Sequence, residues 1–338
     1  MVDRTHIAFK ASDRSYFAIL KKEIHAIATK AGFSVKRMGE LDIIIAELVS
    51  NLVKHAGGGQ LLVKLVEQNG IQGMEIISMD DGMGMTDVTR MVADGVSTKN
   101  TLGQGLGAMK RLSDFFQVYS LKDWGTIILI RIFDEALPLY KKPSRWDVKT
   151  VILPKPGEVA CGDGFFCTSN TDQIKLFLGD GLGHGPEAEK AVLMAGEAFL
   201  NEEETDPAEM IKLINHAVKK TRGLVGTVAL FDLKEKRWRI CGVGNIATKV
   251  IAPGSVKNYM SYNGIIGLNV PNTLSVQEVA YETGQYLVMC SDGIKSRWDT
   301  VKYPAILRYD PAIVAASLVK DYNRNTDDVS VVTCKINM

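Results

Sequence analysis

The sequence predicts an α/β protein built from two domains. With 338 residues, the chain is long enough for about two domains of roughly 100–200 residues each. In both halves, segments with helical apolar spacing alternate with short apolar runs that are typical of strands. A stretch that carries four prolines separates the halves and predicts a linker at residues 136–156. We therefore expect one domain at residues 1–135 and a second at residues 157–338.

The composition excludes several classes of protein. Lys and Arg number 40 against 39 Asp and Glu, so the net charge is +1 and nothing indicates a nucleic-acid partner. No apolar run reaches the ~18 residues of a membrane span, and the N-terminus does not resemble a signal peptide. We expect no membrane partner and a cytoplasmic location. The five cysteines form no CxxC pair, which indicates reduced, buried thiols.

Local patterns predict each element of the first half. Asp13 can cap a helix that runs to about Lys30, and Ser34 can cap a second helix that runs to about His55. Consecutive glycines at 57–59 end the second helix. Apolar runs predict strands at residues 7–10, 61–68, 74–79, 116–121 and 126–133, and a short helix is expected at 105–114.

Strands dominate the second half. Apolar or alternating runs predict strands at residues 174–178, 227–232, 237–243, 247–251, 286–290 and 329–336. Helices are expected at about 186–201, 207–221 and 311–322.

Two polar residues on the second predicted helix can support phosphate chemistry. Glu47 and Asn51 are four residues apart, so their side chains lie on one face, one turn from each other. The amide oxygen of Asn51 can hold a divalent cation. The carboxylate of Glu47 can deprotonate a hydroxyl or a water that attacks phosphorus.

Two glycine-rich segments follow in the same half. In Asp80-Asp81-Gly82-Met83-Gly84, the first carboxylate ends a predicted strand and can accept a hydrogen bond from an exocyclic amine such as that of adenine. Gly103-Gln104-Gly105-Leu106-Gly107 precedes a predicted helix, where exposed N–H groups favour phosphates. Each segment is weak evidence alone, whereas the three signals in this order are strong evidence for a nucleotide site.

These three segments resemble the N box and the two glycine boxes of the GHKL nucleotide-binding fold. The resemblance implies an N-terminal GHKL (Bergerat) α/β sandwich that binds ATP. It implies that Glu47 is the catalytic carboxylate, that Asn51 holds Mg²⁺ and that Asp80 reads adenine. The residues implied to line the nucleotide are Gly82, Gly84, Gly103, Gly105, Leu106 and Gly107.

Within that fold, residues 96–99 and 102–114 resemble the anti-sigma-factor serine kinases. Such kinases phosphorylate Ser or Thr of STAS-domain partners, so the resemblance implies a partner of that kind and a place in a sigma-factor regulatory network. A histidine kinase is a poor alternative, because His25 is the only histidine in a helix ahead of Glu47 and its neighbours do not form a phosphoacceptor box.

Acidic residues next to glycines recur at predicted strand ends in the second half. They are Asp163, Asp180, Asp292 and the adjacent pair Asp327 and Asp328. Clusters made only of carboxylates suit Mg²⁺ or Mn²⁺ rather than zinc. Two such ions can share a carboxylate, activate a water and neutralise a phosphoryl group.

The string from Asp180 to Ala188, which contains His184, resembles the GDGxGHG motif of PP2C-like phosphatases of the SpoIIE family. The resemblance implies a C-terminal PP2C-like αββα sandwich in which Asp180 bridges two metals and Gly181 offers its carbonyl. Asp163 would serve one metal, and Asp292 and Asp327 the other. The sequence leaves open whether Asp327 or Asp328 points inward, and whether His184 positions its loop or acts as an acid.

Both halves of the chain carry the residue types that the two resembled families use for catalysis. The sequence therefore predicts a bifunctional switch that phosphorylates Ser or Thr of a STAS-domain partner and removes the phosphate again. In the alternative, the first domain is a non-catalytic, nucleotide-dependent partner-binding module fused to a metal-dependent protein phosphatase.

Overall fold

The computed structural model describes residues 5–13, 16–92, 105–138 and 144–338. It divides into two compact units. The N-terminal unit comprises His6–Pro143 and Arg308–Ala316, and the C-terminal unit is formed mainly by Ser144–Leu307 and Ser317–Met338. Both units combine helices with sheets, so the predicted α/β class is confirmed.

The N-terminal unit is a five-stranded antiparallel sheet with helices packed on one face. Its strand order is β1-β2-β3-β5-β4. The elements are β1 (Ile7–Ala11), α1 (Tyr16–Lys30), α2 (Val35–Asn51), β2 (Gly59–Gln68), β3 (Ile71–Asp80), α3 (Val88–Val92), α4 (Gly105–Leu112), β4 (Phe115–Leu121) and β5 (Gly125–Phe133).

Apolar side chains of α1 and α2 form the core of this unit with the sheet. Leu20, Ile44 and Leu48 are fully or almost fully buried there together with Ile76 of β3 and Ile130 of β5. Their spacing on the helices is the apolar spacing predicted from the sequence. Burial of this face holds α2, and with it Glu47, against the sheet.

The start of α2 is where the sequence predicts it. Ser34 caps the helix, because its side-chain oxygen accepts a hydrogen bond from the N–H of Arg37. At the other end, Leu52–Ala56 continue from α2 as a wider π-helical turn. Gly57 then stops the helix with a positive φ of 71°, a conformation that favours glycine.

The C-terminal unit contains two five-stranded sheets. Their strand orders are β13-β10-β9-β8-β7 and β12-β11-β14-β15-β6. The elements are β6 (Trp146–Leu153), β7 (Asp163–Ser169), β8 (Gln173–Gly181), α5 (Pro186–Asn201), α6 (Pro207–Ala217), β9 (Leu224–Asp232), β10 (Arg237–Val243), β11 (Ala247–Ala252), β12 (Ser255–Tyr259), β13 (Gln277–Ala280), β14 (Tyr286–Cys290) and β15 (Val329–Ile336). Helix α7 (Pro311–Tyr322) precedes β15 in the chain, and its residues up to Ala316 fall in the N-terminal unit.

The two sheets share one apolar core. Phe165 and Leu178 of the first sheet and Met289 and Val332 of the second belong to the same buried cluster. Helices α5 and α6 contact the first sheet, on strands β7 to β10. The result is a layered sandwich whose strand ends bring distant acidic residues together.

The predicted linker differs from the structure. Trp146–Leu153 form β6, which pairs in antiparallel register with β15 over its whole length. The prolines at 143 and 154 lie outside this strand, so the run between them keeps its N–H groups for pairing.

The five cysteines are buried and form no disulfide, as the sequence predicts for reduced thiols. In the described part of the chain, no helix is long and apolar enough to cross a membrane.

Candidate functional site

The first candidate site, in the N-terminal unit, starts from α2. Glu47 and Asn51 both lie on this helix and are partly buried. A β-carbon built at Gly105, the first residue of α4, would lie only 2.6 Å from Oε2 of Glu47. The carboxylate of Glu47 therefore lies against the N-terminus of α4.

The loop after β3 contacts the turn that follows α2. Oδ1 of Asp80 accepts a hydrogen bond from the N–H of Gly82 at 2.9 Å. A β-carbon at Gly82 would lie 2.9 Å from Cβ of Ala56 in the π-helical turn. The structure thus brings the first glycine-rich segment next to the end of α2.

The remaining predicted nucleotide residues lie in or before α4. Leu106 is partly buried and Gly107 is buried, whereas Gly103 lies outside the described residues. Of the predicted nucleotide site, the structure thus brings together Glu47 and the start of α4, and separately the segment after Asp80 and the end of α2.

The second candidate site, in the C-terminal unit, centres on two carboxylates. Asp163 of β7 and Asp180 of β8 are direct partners in the antiparallel register. The Ser291 hydroxyl donates to Oδ2 of Asp163 at 2.7 Å and accepts from the N–H of Ser330 at 2.9 Å. Oδ1 of Asp163 is buried and has no hydrogen-bond partner.

Electrostatics at this pair are unfavourable without a cation. Burial, together with repulsion from Asp328 and Asp292, raises the pKa of Asp163 to about 7. Burial and the carboxylates of Asp163, Asp292 and Asp327 raise the pKa of Asp180 well above its ordinary value. A divalent cation would offset the burial and the repulsion between the carboxylates, and it would give the unpartnered Oδ1 of Asp163 an ion to coordinate. The donor set therefore fits Mg²⁺ or Mn²⁺.

In this structure the carboxylates of the second candidate site are not arranged as a complete metal-coordination shell. Among the described residues, no group of three or more His, Cys, Asp or Glu side chains could hold a metal ion in its present arrangement. Asp163 and Asp180 are partners in the sheet, whereas Asp292 is exposed and Asp327 is partly exposed.

The adjacent residues Asp327 and Asp328 have different surroundings. Asp328 is 4% exposed, and its two oxygens accept from the N–H groups of Lys155 at 2.8 Å and Gly162 at 2.9 Å. Asp327 is partly exposed and accepts from the N–H of Asp328 at 3.0 Å. This difference favours Asp327 as the metal ligand and gives Asp328 a positioning role.

The loop after Asp180 is shaped by glycine. A β-carbon at Gly181 would lie 2.5 Å from the carbonyl oxygen of Ala188, which leaves no room for a side chain. Nδ1 of His184 in this loop pairs with a carboxylate oxygen of Glu158, and the imidazole is 47% exposed. The pair gives His184 a partner that orients its ring.

Comparison with protein families decides what these two sites belong to. The model of the histidine kinase-like ATPase domain matches residues 10–132, and that of stage II sporulation protein E (SpoIIE) matches residues 170–337. The chain joins an RsbT-like ATPase domain to a SpoIIE-type phosphatase domain. The predicted GHKL and PP2C-like architectures are thereby confirmed.

Two curated relatives match one half each. The serine/threonine-protein kinase RsbT of Bacillus subtilis (strain 168) is 36% identical over 102 residues, which are 30% of this chain and 77% of RsbT. The phosphoserine phosphatase RsbX of the same organism is 24% identical over 143 residues, which are 42% of this chain and 71% of RsbX.

Solved structures also resemble the chain. One, described as the bacterial stressosome, a modular system adapted to control secondary messenger signaling, is 28% identical with a TM-score of 0.53 and covers 56% of this chain and 100% of its own. RsbX in complex with magnesium is 20% identical with a TM-score of 0.50, covers 58% of this chain and 98% of its own, and shows a shared fold.

One polar residue of the SpoIIE-type domain, Asn245, carries no motif that marks it in the sequence. Asn245 donates from Nδ2 to Oδ2 of Asp292 at 2.9 Å. It follows Gly244, whose φ is 103°, between strands β10 and β11. A polar residue after a glycine at a strand end was the available signal, and it is also a common turn pattern.

In the RsbT-like domain, the missed feature is the turn between β4 and β5. The Ser120 hydroxyl accepts from the N–H of Met85 at 2.8 Å, and the N–H of Asp123 donates to the carbonyl of Met83 at 2.8 Å. A β-carbon at Gly84 would lie 1.8 Å from the carbonyl oxygen of Leu121. The turn therefore holds the segment that follows Asp80.

Proposed function

We propose that the chain phosphorylates and dephosphorylates Ser or Thr of a STAS-domain partner, with one activity in each domain. The observation that carries the phosphatase half is the cross-strand pair of Asp163 and Asp180 with its buried, unpartnered oxygen. The kinase half is supported by the contact between Glu47 and the start of α4 and by the similarity to RsbT.

In the SpoIIE-type domain, the proposed ligands of Mg²⁺ or Mn²⁺ are Asp163, Asp180, Asp292, Asp327 and the carbonyl of Gly181. When bound, two such cations supply the charge neutralisation and water activation that phosphoester hydrolysis requires. Ser291 orients Asp163 through its hydrogen bond, and Asn245 does the same for Asp292. Asp180, which lies opposite Asp163 in the sheet, would be the carboxylate that the two cations share.

In the RsbT-like domain, the proposed nucleotide is ATP with Mg²⁺. Asp80 accepts from the adenine amine, and Asn51 holds the cation through its amide oxygen. The glycines named above and Leu106 line the nucleotide, with phosphates next to the N-terminus of α4. Glu47 lies beside that terminus and takes the proton of the attacking Ser or Thr hydroxyl.

The partner assignment rests on similarity. RsbT is a serine/threonine-protein kinase and RsbX a phosphoserine phosphatase, and the chain resembles a stressosome structure. Opposed activities in one chain would consume ATP without net change, so we propose that partner binding favours one activity at a time.

A labelling experiment tests the proposal. A STAS-domain protein and γ-labelled ATP are incubated with Mg²⁺ and Mn²⁺ and with either the wild type, Asp180→Asn or Asp180→Asn/Glu47→Ala. Label on the STAS protein with Asp180→Asn, but little with the wild type or the double variant, is the expected result.

Other outcomes contradict parts of the proposal. If no variant labels the partner while the wild type strips a phosphorylated one, the first domain is a nucleotide-dependent binding module. If the wild type removes no phosphate from the phosphorylated partner, the phosphatase half is wrong.

A further inference from the structure

Three exposed basic residues border the acidic site of the C-terminal unit. Lys295 and Arg297 follow Asp292 on one segment, and Arg324 precedes Asp327 on another. We name Lys295, Arg297 and Arg324 the basic rim. All three side chains are exposed, so they are available to a ligand from solution.

Main-chain hydrogen bonds hold the two segments of the basic rim side by side. The N–H of Arg324 donates to the carbonyl of Gly293 at 2.9 Å, and the N–H of Lys295 donates to the carbonyl of Tyr322 at 2.9 Å. Between these bonds, Ile294 and Asn323 form an antiparallel bridge. The rim is therefore a fixed feature of the fold, attached directly to the segments that carry Asp292 and Asp327.

The positive charge of the basic rim is not neutralised within the described part of the chain. There, none of its three side chains forms an ion pair or a hydrogen bond. Two other acidic residues on the same segments make contacts of their own: Asp321 pairs with Lys302 at 2.7 Å and accepts from the Tyr303 hydroxyl at 2.7 Å. Asp299 accepts from the N–H of Val301 at 3.0 Å.

The position of this charge indicates what it binds. Asp292 and Asp327 are proposed to hold the metal ions that bind the phosphoryl group of the substrate. The substrate residues on either side of the phosphorylated one would then lie against the surface next to Asp292 and Asp327, which is the basic rim. That surface carries three basic side chains without an ion-pair partner among the described residues, on a chain whose net charge is only +1. Complementarity then favours a negatively charged segment.

We propose that the basic rim binds acidic residues that flank the phosphorylated Ser or Thr of a phosphoprotein substrate. The inference rests on the proposed phosphatase function and deepens it, because it names the substrate class. It makes the rim a specificity determinant, which acts on KM more than on kcat.

Two phosphoserine peptides of equal length test this proposal, one with Asp and Glu on both sides and one with neutral residues there. The wild type is compared with Lys295→Ala/Arg297→Ala/Arg324→Ala, in Mn²⁺ at low salt. The ratio of kcat/KM between the acidic and the neutral peptide should fall about 10-fold in this variant, mainly through KM. In the wild type, the same ratio should fall with added salt.

A matched variant removes three exposed lysines from elsewhere on the C-terminal unit, as Lys190→Ala/Lys234→Ala/Lys257→Ala. It should keep the wild-type ratio, and circular dichroism melting shows whether both variants fold. Because the ratio of kcat/KM compares two peptides on the same protein sample, it does not change when part of that sample is inactive.

Two failures are distinguishable. A wild type that hydrolyses neither p-nitrophenyl phosphate nor either peptide overturns the proposed function, and the basic rim proposal with it. An active wild type that shows no preference for the acidic peptide, or whose preference survives in the rim variant, overturns only the basic rim proposal.

Discussion

Asp328 accepts a hydrogen bond from the main-chain N–H of Gly162, the residue directly before Asp163, at 2.9 Å. Its other oxygen accepts from the N–H of Lys155 at 2.8 Å. A buried carboxylate thus ties the segment leading into β7 to the segment leading into β15. Its neighbour Asp327 has no such contacts with β7 among the described residues and remains partly exposed.

This difference predicts opposite effects for two conservative variants. Asp328→Asn turns an amide nitrogen toward one of two N–H donors and leaves that donor unsatisfied, which should lower the free energy of unfolding by about 1–3 kcal/mol. Asp327→Asn should leave stability within about 0.5 kcal/mol and abolish Mn²⁺-dependent phosphatase activity. Urea denaturation of metal-free protein and a phosphatase assay measure both. The reverse pattern would assign the ligand to Asp328.

The stability of the metal-free C-terminal unit should fall as the pH rises. The pKa of Asp163 is about 7 in the folded protein and about 3.9 in an unfolded chain. The folded state therefore binds the proton more tightly, so stability is fully present below about pH 4 and is lost as the pH rises through 7. Because other titratable groups also make the stability depend on pH, the test compares two samples of protein from which EDTA has removed metal, one of them with Mn²⁺ added back. Saturating Mn²⁺ should abolish the decline, and an equal decline in both samples would contradict a metal at Asp163.

Asn245 should control metal affinity without contacting metal. Its amide holds Oδ2 of Asp292 at 2.9 Å, and loss of such an outer partner typically weakens metal binding by about 10–100-fold. Isothermal titration of Asn245→Ala with Mn²⁺ should show a shift of at least about 10-fold. Asn258→Ala, at an exposed position on β12, serves as the control. Equal affinities for the two variants would mean that Asp292 needs no positioning.

Gly125 should be required for nucleotide binding. Its φ is 112°, and a β-carbon there would lie 2.0 Å from the carbonyl oxygen of Asp80. Gly125→Ala must displace the segment proposed to read adenine, so ATP affinity should fall by about 10-fold or more. Gly70→Ala is the matched control, because Gly70 also has a positive φ of 79° but has nothing within 4 Å of a β-carbon.

Titration with a fluorescent ATP analogue and urea denaturation should be run on both glycine variants. Both should lose stability from backbone strain, by roughly 1 kcal/mol or more. Only Gly125→Ala should also lose affinity for the ATP analogue. A similar affinity in both variants would show that the β4–β5 turn does not contribute to nucleotide binding.

Much of the fold could be predicted because local patterns are strong. Ser34 begins α2 and Gly57 ends its continuation, as the cap and glycine signals indicate. The prolines on both sides of β6 predict a linker where the structure has a strand. Its paired residues in β15 lie 176 to 190 positions further along the chain, from Leu153 with Val329 to Trp146 with Ile336, and such pairing leaves no local signal.

The order and spacing of the acidic and glycine motifs indicate the two families and the residue types proposed for both sites, because such motifs can be recognised without any knowledge of packing. The choice between Asp327 and Asp328 needs the folded chain, which favours Asp327 as the proposed ligand, since both aspartates follow the same segment and differ in the main-chain N–H groups that surround them. Likewise, Asn245 and the β4–β5 turn enter the sites through contacts between segments that are distant in sequence. A motif specifies chemistry, whereas hydrogen bonding and burial across the fold specify which of two identical side chains performs it.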